Sequence, residues 1–207
     1  SITTATGLVT VGAANTVTTV AGIPFYKGPS SIYTHDVSGT DDDAESNTAY
    51  GISALDAITT GDGNTALGYQ SLSANTTGAN LVAIGREALL ANTTASNNVA
   101  IGISAAKSNT TGIKIIAIGA NAYRNSDTET ENMAIGYNAI TADTAGGTRN
   151  MGIGNYALED LTSGDNNVAI GHYAMGENTS GGQNTAVGDE ALHTNTTGDA
   201  NTAMGTG

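Results

Sequence analysis

Apolar and small residues recur at a fixed spacing along most of the chain. A Gly that follows an apolar residue, usually with Ala one place earlier, returns at positions 51, 68, 85, 102, 119, 136, 154, 171, 188 and 205. Eight of the nine intervals are 17 residues long, and the exception is 18 because the loop 146–149 holds one extra residue. Such self-similarity is the sequence signature of a repeat architecture, in which each unit packs only against its neighbours.

The size of the repeat decides which secondary structure it forms. Each unit reads approximately Asn-x-Ala-Ile-Gly-x-x-Ala-Leu-x-x-Asn-Thr-Thr-Gly-x-x. Two helices with their turns need about 30 residues, and Gly in the centre and at the end of the unit disfavours helix. Two short strands fit, one over Asn-x-Ala-Ile and one over x-Ala-Leu, joined by turns at the glycines. The pattern therefore predicts an all-β fold, a parallel β-solenoid (β-roll) of about ten 17-residue coils stacked ~4.8 Å apart.

Two apolar columns of the repeat are predicted to fill a thin interior. One is the residue before each repeat Gly, and the other lies four residues after it. The predicted core ladder consists of Ile84, Ile101, Ile118, Ile135, Ile153, Ile170, Leu72, Leu89, Leu158 and Leu192. The substitution Ile118→Asp is therefore expected to unfold several neighbouring coils. A column of Asn four residues before the Gly is predicted to form a stacked amide ladder.

The first 46 residues do not follow the repeat. They hold both prolines and the only Phe, and the apolar patterns of residues 8–11 and 16–20 predict a β-hairpin. We therefore divide the chain into 1–46, a capping or attachment segment with a hairpin and an acidic loop, and 47–207, the solenoid repeat domain. As a cap, the first segment would cover the open sheet edge of the solenoid. An attachment module is the alternative.

Composition narrows the classes of partner. Six basic residues against 19 acidic ones give a formal net charge of −13, which disfavours nucleic acid and anionic membrane surfaces. The absence of Cys excludes a disulfide scaffold and a Cys-ligated metal site. No stretch approaches 18 consecutive apolar residues, so no membrane insertion is predicted for this chain.

Motifs for catalysis are lacking. The three histidines, His35, His172 and His193, do not have the spacing of a metal site, and no nucleophile elbow or phosphate-binding loop occurs. We therefore predict that the chain is not an enzyme and that it has no catalytic, cofactor-binding or metal site.

Acidic residues provide only weak cation candidates. Calcium prefers six to eight oxygen ligands, and the candidates for such a site are Asp41, Asp42, Asp43 and Glu45. A solvated acidic loop is the favoured interpretation. Isolated carboxylates also recur in the turns at Asp62, Asp165 and Asp199, where an Asp that bonds to its own backbone is the simpler explanation.

Aromatic residues follow the bend of several units. The candidates for partner binding occupy the two positions after the repeat Gly and are Tyr69, Tyr137, Tyr156, His172 and Tyr173. Tyrosines on a rigid surface commonly anchor protein or sugar partners. The alternative is that these rings cover the edge of the roll or pack between chains.

The repeat also resembles a known group of surface proteins. Residues 64–78 read Asn-Thr-Ala-Leu-Gly-Tyr-Gln-Ser-Leu-Ser-Ala-Asn-Thr-Thr-Gly, which is similar to the head repeats of trimeric autotransporter adhesins (the YadA-like head family) and to repeat shafts of phage tail fibres. The resemblance covers residues 47–205. It implies a left-handed roll, three chains side by side, and display on the exterior of a cell or virion. The unit here is longer than the usual adhesin-head repeat.

From the residues and the resemblance together we expect a non-enzymatic attachment fibre or adhesin segment. It would be extracellular, on a cell or virion surface, self-associated as a homotrimer, and directed at a host or surface receptor of glycan or protein nature. The alternative is a self-assembling subunit of an extracellular filament or surface layer, which would form open polymers instead of a discrete trimer.

Overall fold

The structure, a computed structural model, describes residues 18–20, 23–27, 32–33, 43–142 and 147–207. Thirteen strands follow one another in chain order in a single sheet. The strands are β1 (Thr18–Val20), β2 (Ile23–Lys27), β3 (Ile32–Tyr33), β4 (Thr48–Tyr50), β5 (Thr65–Leu67), β6 (Val82–Ile84), β7 (Val99–Ile101), β8 (Ile116–Ile118), β9 (Met133–Ile135), β10 (Met151–Ile153), β11 (Val168–Ile170), β12 (Thr185–Val187) and β13 (Thr202–Met204).

Strands β4 to β13 form the wall of a parallel β-solenoid, which confirms the predicted fold. Each coil contributes one strand of three residues, and equivalent residues pair in register, as Ala83 does with Ala100. The 18-residue interval does not disturb this register, because Met133 still pairs with Met151. The extra residue therefore lies outside the sheet.

The prediction that the isoleucine column lies in the interior is wrong. In strands β6 to β10 the central residue is buried, whereas the residues on either side of it are only half-buried. Because side chains alternate between the two faces of a strand, a three-residue strand has a single inward position, and Ala occupies it. The side chains that point outward instead are those of Ile84, Ile101, Ile118, Ile135, Ile153 and Ile170.

The interior is built from two columns of Ala, one column of Leu or other large apolar residues, and two columns of mostly Asn. The large apolar side chains that replace Asn in those last two columns are also fully buried and are Ile58, Leu81, Ile115 and Leu161. The second half of the predicted ladder is confirmed, because Leu72, Leu89 and Leu158 are fully buried and Leu192 packs against the core in the last complete coil. These side chains face two columns of buried alanines. Because the side chains of these other columns fill the narrow interior, the inward position of each strand has room only for a small residue such as Ala.

The second predicted strand of each coil is a turn. Along the x-Ala-Leu segment every second residue has a left-handed backbone, as at Gln70 (φ 55°) and Leu72 (φ 52°), whereas a strand needs φ near −120°. These turns are held from both sides, because Gln70 N–H donates to the carbonyl of Ile52 in the preceding coil and Leu72 N–H donates to that of Ala88 in the next.

Asparagine ladders run through the buried interior, as predicted. In consecutive coils the side-chain oxygen of Asn167 accepts both the backbone N–H and the side-chain N–H of Asn184, at 3.0 and 3.2 Å. A second column comes from the Asn-Thr-Thr-Gly turn, where Asn92 donates to the side-chain oxygen of Asn75 at 3.0 Å. Buried amide groups are stabilised only when they are hydrogen-bonded, and here they also bond one coil to the next.

Hydroxyl and carboxylate groups of the turns make further bonds between coils. The Thr76 hydroxyl donates to the carbonyl of Thr93 at 3.1 Å, and the same bond recurs at Thr179 to Thr196. The turn carboxylate of Asp165 accepts the N–H of Thr148 at 2.7 Å. These carboxylates therefore bond to the backbone of the neighbouring coil instead of to their own.

Upstream of the solenoid, the described strands extend the same sheet. Strand β1 pairs with β2 and β2 with β3 in antiparallel fashion, and β3 runs parallel to β4. The predicted hairpin partner at 8–11 lies outside the described residues. The role of the segment 1–46 as a cap or an attachment module stays a prediction.

Within the described residues the chain forms strands and turns only, so this part contains no helix long and apolar enough to cross a membrane.

Candidate functional site

Four of the five predicted partner-binding residues lie together on one corner of the solenoid. The stacked pair Tyr156 and Tyr173 is at the centre, with ring centroids 4.6 Å apart and planes 6° from parallel. Tyr137 meets the edge of Tyr156 at 5.4 Å, and His172 meets Tyr173 at 4.5 Å. We call this cluster, together with His193, the aromatic corner.

The repeat itself produces the stacking. Tyr156 and Tyr173 occupy the same position of consecutive coils, two residues after the repeat Gly, and both have a left-handed backbone (φ 61° and 52°). Equivalent residues of paired strands are ~4.8 Å apart, which is close to the stacking distance of aromatic rings. Two tyrosines at this column therefore stack without any special adjustment of the backbone.

His193 belongs to the aromatic corner although it follows the bend by five residues. Its ring lies 5.4 Å from that of Tyr173. In the coil below, the same column holds Gly176, and a Cβ at Gly176 would lie 2.9 Å from the His193 ring. The sequence signal for this contact is a Gly in a column that otherwise carries side chains, directly beneath a His.

Tyr69 does not join the cluster. It shares its repeat position with Tyr137 and is exposed to a similar extent, 47% against 44%, but it lies four coils away. The residues between them in this column are Arg86, Ile103 and Ala120. The structure therefore separates Tyr69 from the other four candidates.

The surroundings of Tyr156 keep its hydroxyl group protonated. Burial raises the pKa of Tyr156, and the neighbouring Tyr137, Tyr173 and Glu159 act in the same direction. His172 lies 3.1 Å from the carboxylate of Asp189, and both side chains are more than half exposed. Tyr156 is therefore neutral and available as a hydrogen-bond donor at physiological pH.

A polar groove of about 270 Å³ lies next to the aromatic corner, although none of the rings lines it. Its residue Asn138 occupies the column of Tyr156 in the preceding coil, and its Glu159 interacts electrostatically with Tyr156. The groove is lined by Asn121, Arg124, Asn125, Asn138, Thr141, Ala142, Glu159 and Asp160. The amide of Asn138, next to Tyr137 in the chain, reaches Glu159 at 3.5 Å. Burial raises the pKa of Glu159, and the Asp160 charge adds to this rise. The groove therefore offers amide, guanidinium and carboxylate groups beside a row of rings, a combination that the repeat pattern did not reveal.

The structure describes only two of the four weak cation candidates. Asp41 and Asp42 lie outside the described residues, while Asp43 and Glu45 are exposed. The N–H of Glu45 donates to Asp62 at 2.7 Å, so that the turn carboxylate is already engaged. Among the residues that the structure describes, no three acidic or His side chains come together in a group that would hold a metal ion.

Comparisons with protein-family models, curated proteins and solved structures return no match for this chain.

Proposed function

We propose that this chain is a non-enzymatic attachment segment, a rigid solenoid that associates side by side with copies of itself as a homotrimer on the exterior of a cell or virion. The observation that carries the proposal is the outward face of strands β6 to β11. We call it the outer sheet face. It consists of Val82, Ile84, Val99, Ile101, Ile116, Ile118, Met133, Ile135, Met151, Ile153, Val168 and Ile170.

Every one of these twelve side chains is aliphatic or Met, and none is buried within the chain. Soluble monomers rarely present a contiguous apolar surface of this kind, and such a surface marks an interaction site. Since the strands are ~4.8 Å apart, the face runs about 24 Å along the solenoid. Its parallel, regular columns are self-complementary, which favours a second copy of the chain as the occupant.

The position of the outer sheet face favours a closed bundle over a filament. The face lies along the side of the solenoid, so burying it places chains next to one another and not end to end. Side-by-side contacts that repeat by rotation about an axis along the solenoid close into discrete rings of copies. The number three rests on the resemblance to adhesin heads and tail-fibre shafts, as does display on a cell or virion surface.

Native mass spectrometry combined with sedimentation velocity tests the proposal through a matched pair of substitutions. Ile118→Asp places a charge on the outer sheet face, whereas Ala117→Asp places the same charge in the fully buried neighbouring position. We expect the unaltered chain to run as three copies, Ile118→Asp to run as a folded monomer with unchanged circular dichroism, and Ala117→Asp to lose the fold.

A monomeric unaltered chain, or a trimer that survives Ile118→Asp, would overturn the proposal. Open-ended polymers would favour the filament subunit. The same variants also retest the earlier expectation that Ile118→Asp unfolds the coils, because the outward position of Ile118 now predicts a folded protein.

A further inference from the structure

We propose that the aromatic corner and its adjoining groove bind a neutral glycan. This inference names the ligand class of the attachment function proposed above and rests on it. It depends on a different surface, however, since the corner lies beyond the bend glycines and not on the outer sheet face.

Tyr137 supplies the apolar platform of this site. Its ring is 44% exposed and stands at 80° to the ring of Tyr156, so the contact with Tyr156 covers only part of it. A sugar ring has one face of C–H groups and a rim of hydroxyl groups, and an aromatic ring with an adjacent polar rim matches this division. Because Tyr137, Tyr156 and Tyr173 hold one another in place, little conformational entropy is lost when the ligand binds.

The groove supplies the polar rim. Asn121, Asn125 and Asn138 each carry both a donor and an acceptor, as a hydroxyl-rich ligand requires. Arg124 adds donors, and the carboxylate of Glu159 adds acceptors. A volume of 270 Å³ is near the lower limit of about 300 Å³ for small-molecule sites. It suits a single sugar ring better than an extended polymer backbone.

Charge selects a neutral sugar over an acidic one. The groove has one guanidinium, Arg124, against the two carboxyl groups of Glu159 and Asp160, and the whole chain has a formal net charge of −13. Sialylated or sulfated glycans would therefore be repelled both at the site and during approach.

The dimensions of the site favour a glycan over a protein partner. Stable protein interfaces bury about 800 Å² on each partner, with an apolar centre. The aromatic corner spans only four consecutive coils, and its groove is lined mainly by charged and amide side chains. This is a small surface dense in hydrogen-bonding groups, as a sugar ring requires.

A printed array of neutral, sialylated and sulfated oligosaccharides, probed with the full chain, tests the inference. We expect binding to neutral glycans, weakened about tenfold or more by Tyr137→Ala and also weakened by Glu159→Gln. The matched control is Tyr69→Ala, which removes a tyrosine of the same repeat position and similar exposure outside the site and should bind as the unaltered chain does. Equal melting temperatures of all three variants would show that the fold is retained.

Absence of binding to any neutral glycan, binding to acidic glycans only, or equal losses in Tyr137→Ala and Tyr69→Ala would each overturn the inference. So would a protein ligand that binds through Tyr137 while no oligosaccharide does. The oligomer measurement is independent of the array, so a trimer without glycan binding would overturn this inference alone, and a monomer would overturn the proposed function.

Discussion

The side-chain oxygen of Asn150 accepts two hydrogen bonds from Asn167, one from its backbone N–H at 2.9 Å and one from its side chain at 3.1 Å. Asn167 also donates to the carbonyl of Gly181 at 2.9 Å. A single buried amide thus bonds to the coil below and closes its own coil. The ladder is therefore a structural element of the fold, and its loss should be measurable.

Replacing Asn167 with Leu tests the strength of the ladder. Leu81 and Ile115 occupy the same column, so a large aliphatic side chain fits there, but the backbone N–H of Asn184 would lose its acceptor. The Gly181 carbonyl would keep the donor of Asn178, and the Asn184 amide would keep the carbonyl of Gly198. Since an unsatisfied buried polar group costs about 1–3 kcal/mol, we expect Asn167→Leu to lower the free energy of unfolding by about 1–3 kcal/mol. Urea unfolding measures this, and an unchanged midpoint would contradict it.

Gly68 shows why the bend requires glycine. Its φ of 137° is open only to Gly, and an added Cβ would lie 2.6 Å from the carbonyl oxygen of Gly85 in the next coil. Strained backbone of this kind costs about 1–3 kcal/mol, and the steric clash adds to it. We expect Gly68→Ala to lower the melting temperature severely.

The control for this prediction is Gly205→Ala. Gly205 has a similar φ of 126°, but nothing lies within 4 Å of an added Cβ. The difference between the two variants therefore measures the close approach of neighbouring coils. Equal effects of the two substitutions would mean that backbone strain alone explains the requirement for Gly.

Tyr123 replaces Leu in the buried column, and its hydroxyl accepts a hydrogen bond from Asn132 at 2.8 Å. Tyr123→Phe removes the acceptor of one N–H of this amide, while the amide still donates to the carbonyl of Gly147 at 2.8 Å. We expect the loss to lower the free energy of unfolding by about 1–3 kcal/mol near pH 7. Tyr123→Leu also removes the hydroxyl but restores the residue typical of the column. It therefore serves as a control for the change in side-chain shape.

The same residue gives a pH dependence. Burial raises the pKa of Tyr123 above the value of 10.0 for a free tyrosine. In alkali the unfolded chain therefore loses this proton first, so that the stability of the unaltered protein falls as the pH rises above about 10. Tyr123→Phe lacks this titration, and its stability deficit should narrow over that range. A constant deficit, measured by urea unfolding at several pH values, would contradict the prediction.

Acid should weaken the contact between Glu87 and Lys107, which spans adjacent coils at 2.7 Å. The hydrogen bond from Lys107 lowers the pKa of Glu87 below 4.5. The stabilisation is therefore fully present above the unfolded-state pKa and is lost as the pH falls through the lower folded-state value. We expect Lys107→Met to reduce the fall in the free energy of unfolding that accompanies acidification. Urea unfolding at several acidic pH values measures this. In the background of Glu87→Gln, the same change should leave this fall unaltered.

The sequence predicted the solenoid, its period and its register, because a strict 17-residue spacing leaves few other ways to stack like residues. It did not reveal which apolar column faces inward. Hydrophobicity favoured Ile118 over Ala117, whereas the deciding property was side-chain size, because the larger residues of the other columns leave room only for a small residue at the inward position of the strand. The near-constant Ala column was the available signal, since the Ile column also accommodates the exposed Tyr50 and Met204.

The candidate site was predictable only in part. Stacking of Tyr156 on Tyr173 follows from their shared column once the register is known. The contacts of Tyr173 with His193, and of Asn138 with Glu159, join different columns of adjacent coils. Such contacts depend on the shape of the turn, and the left-handed backbone of these turns has no signature in residues such as Leu72 or Tyr156.

Parallel pairing from β4 to β13 has a mechanical consequence. Every bond of the ladder points along the long axis, so a load applied between the two ends acts on the outermost coil first. Because each coil holds 17 residues, its release would lengthen the molecule by about 55 Å. A single molecule stretched by its ends should therefore lengthen in steps of nearly equal size, as one coil after another unfolds.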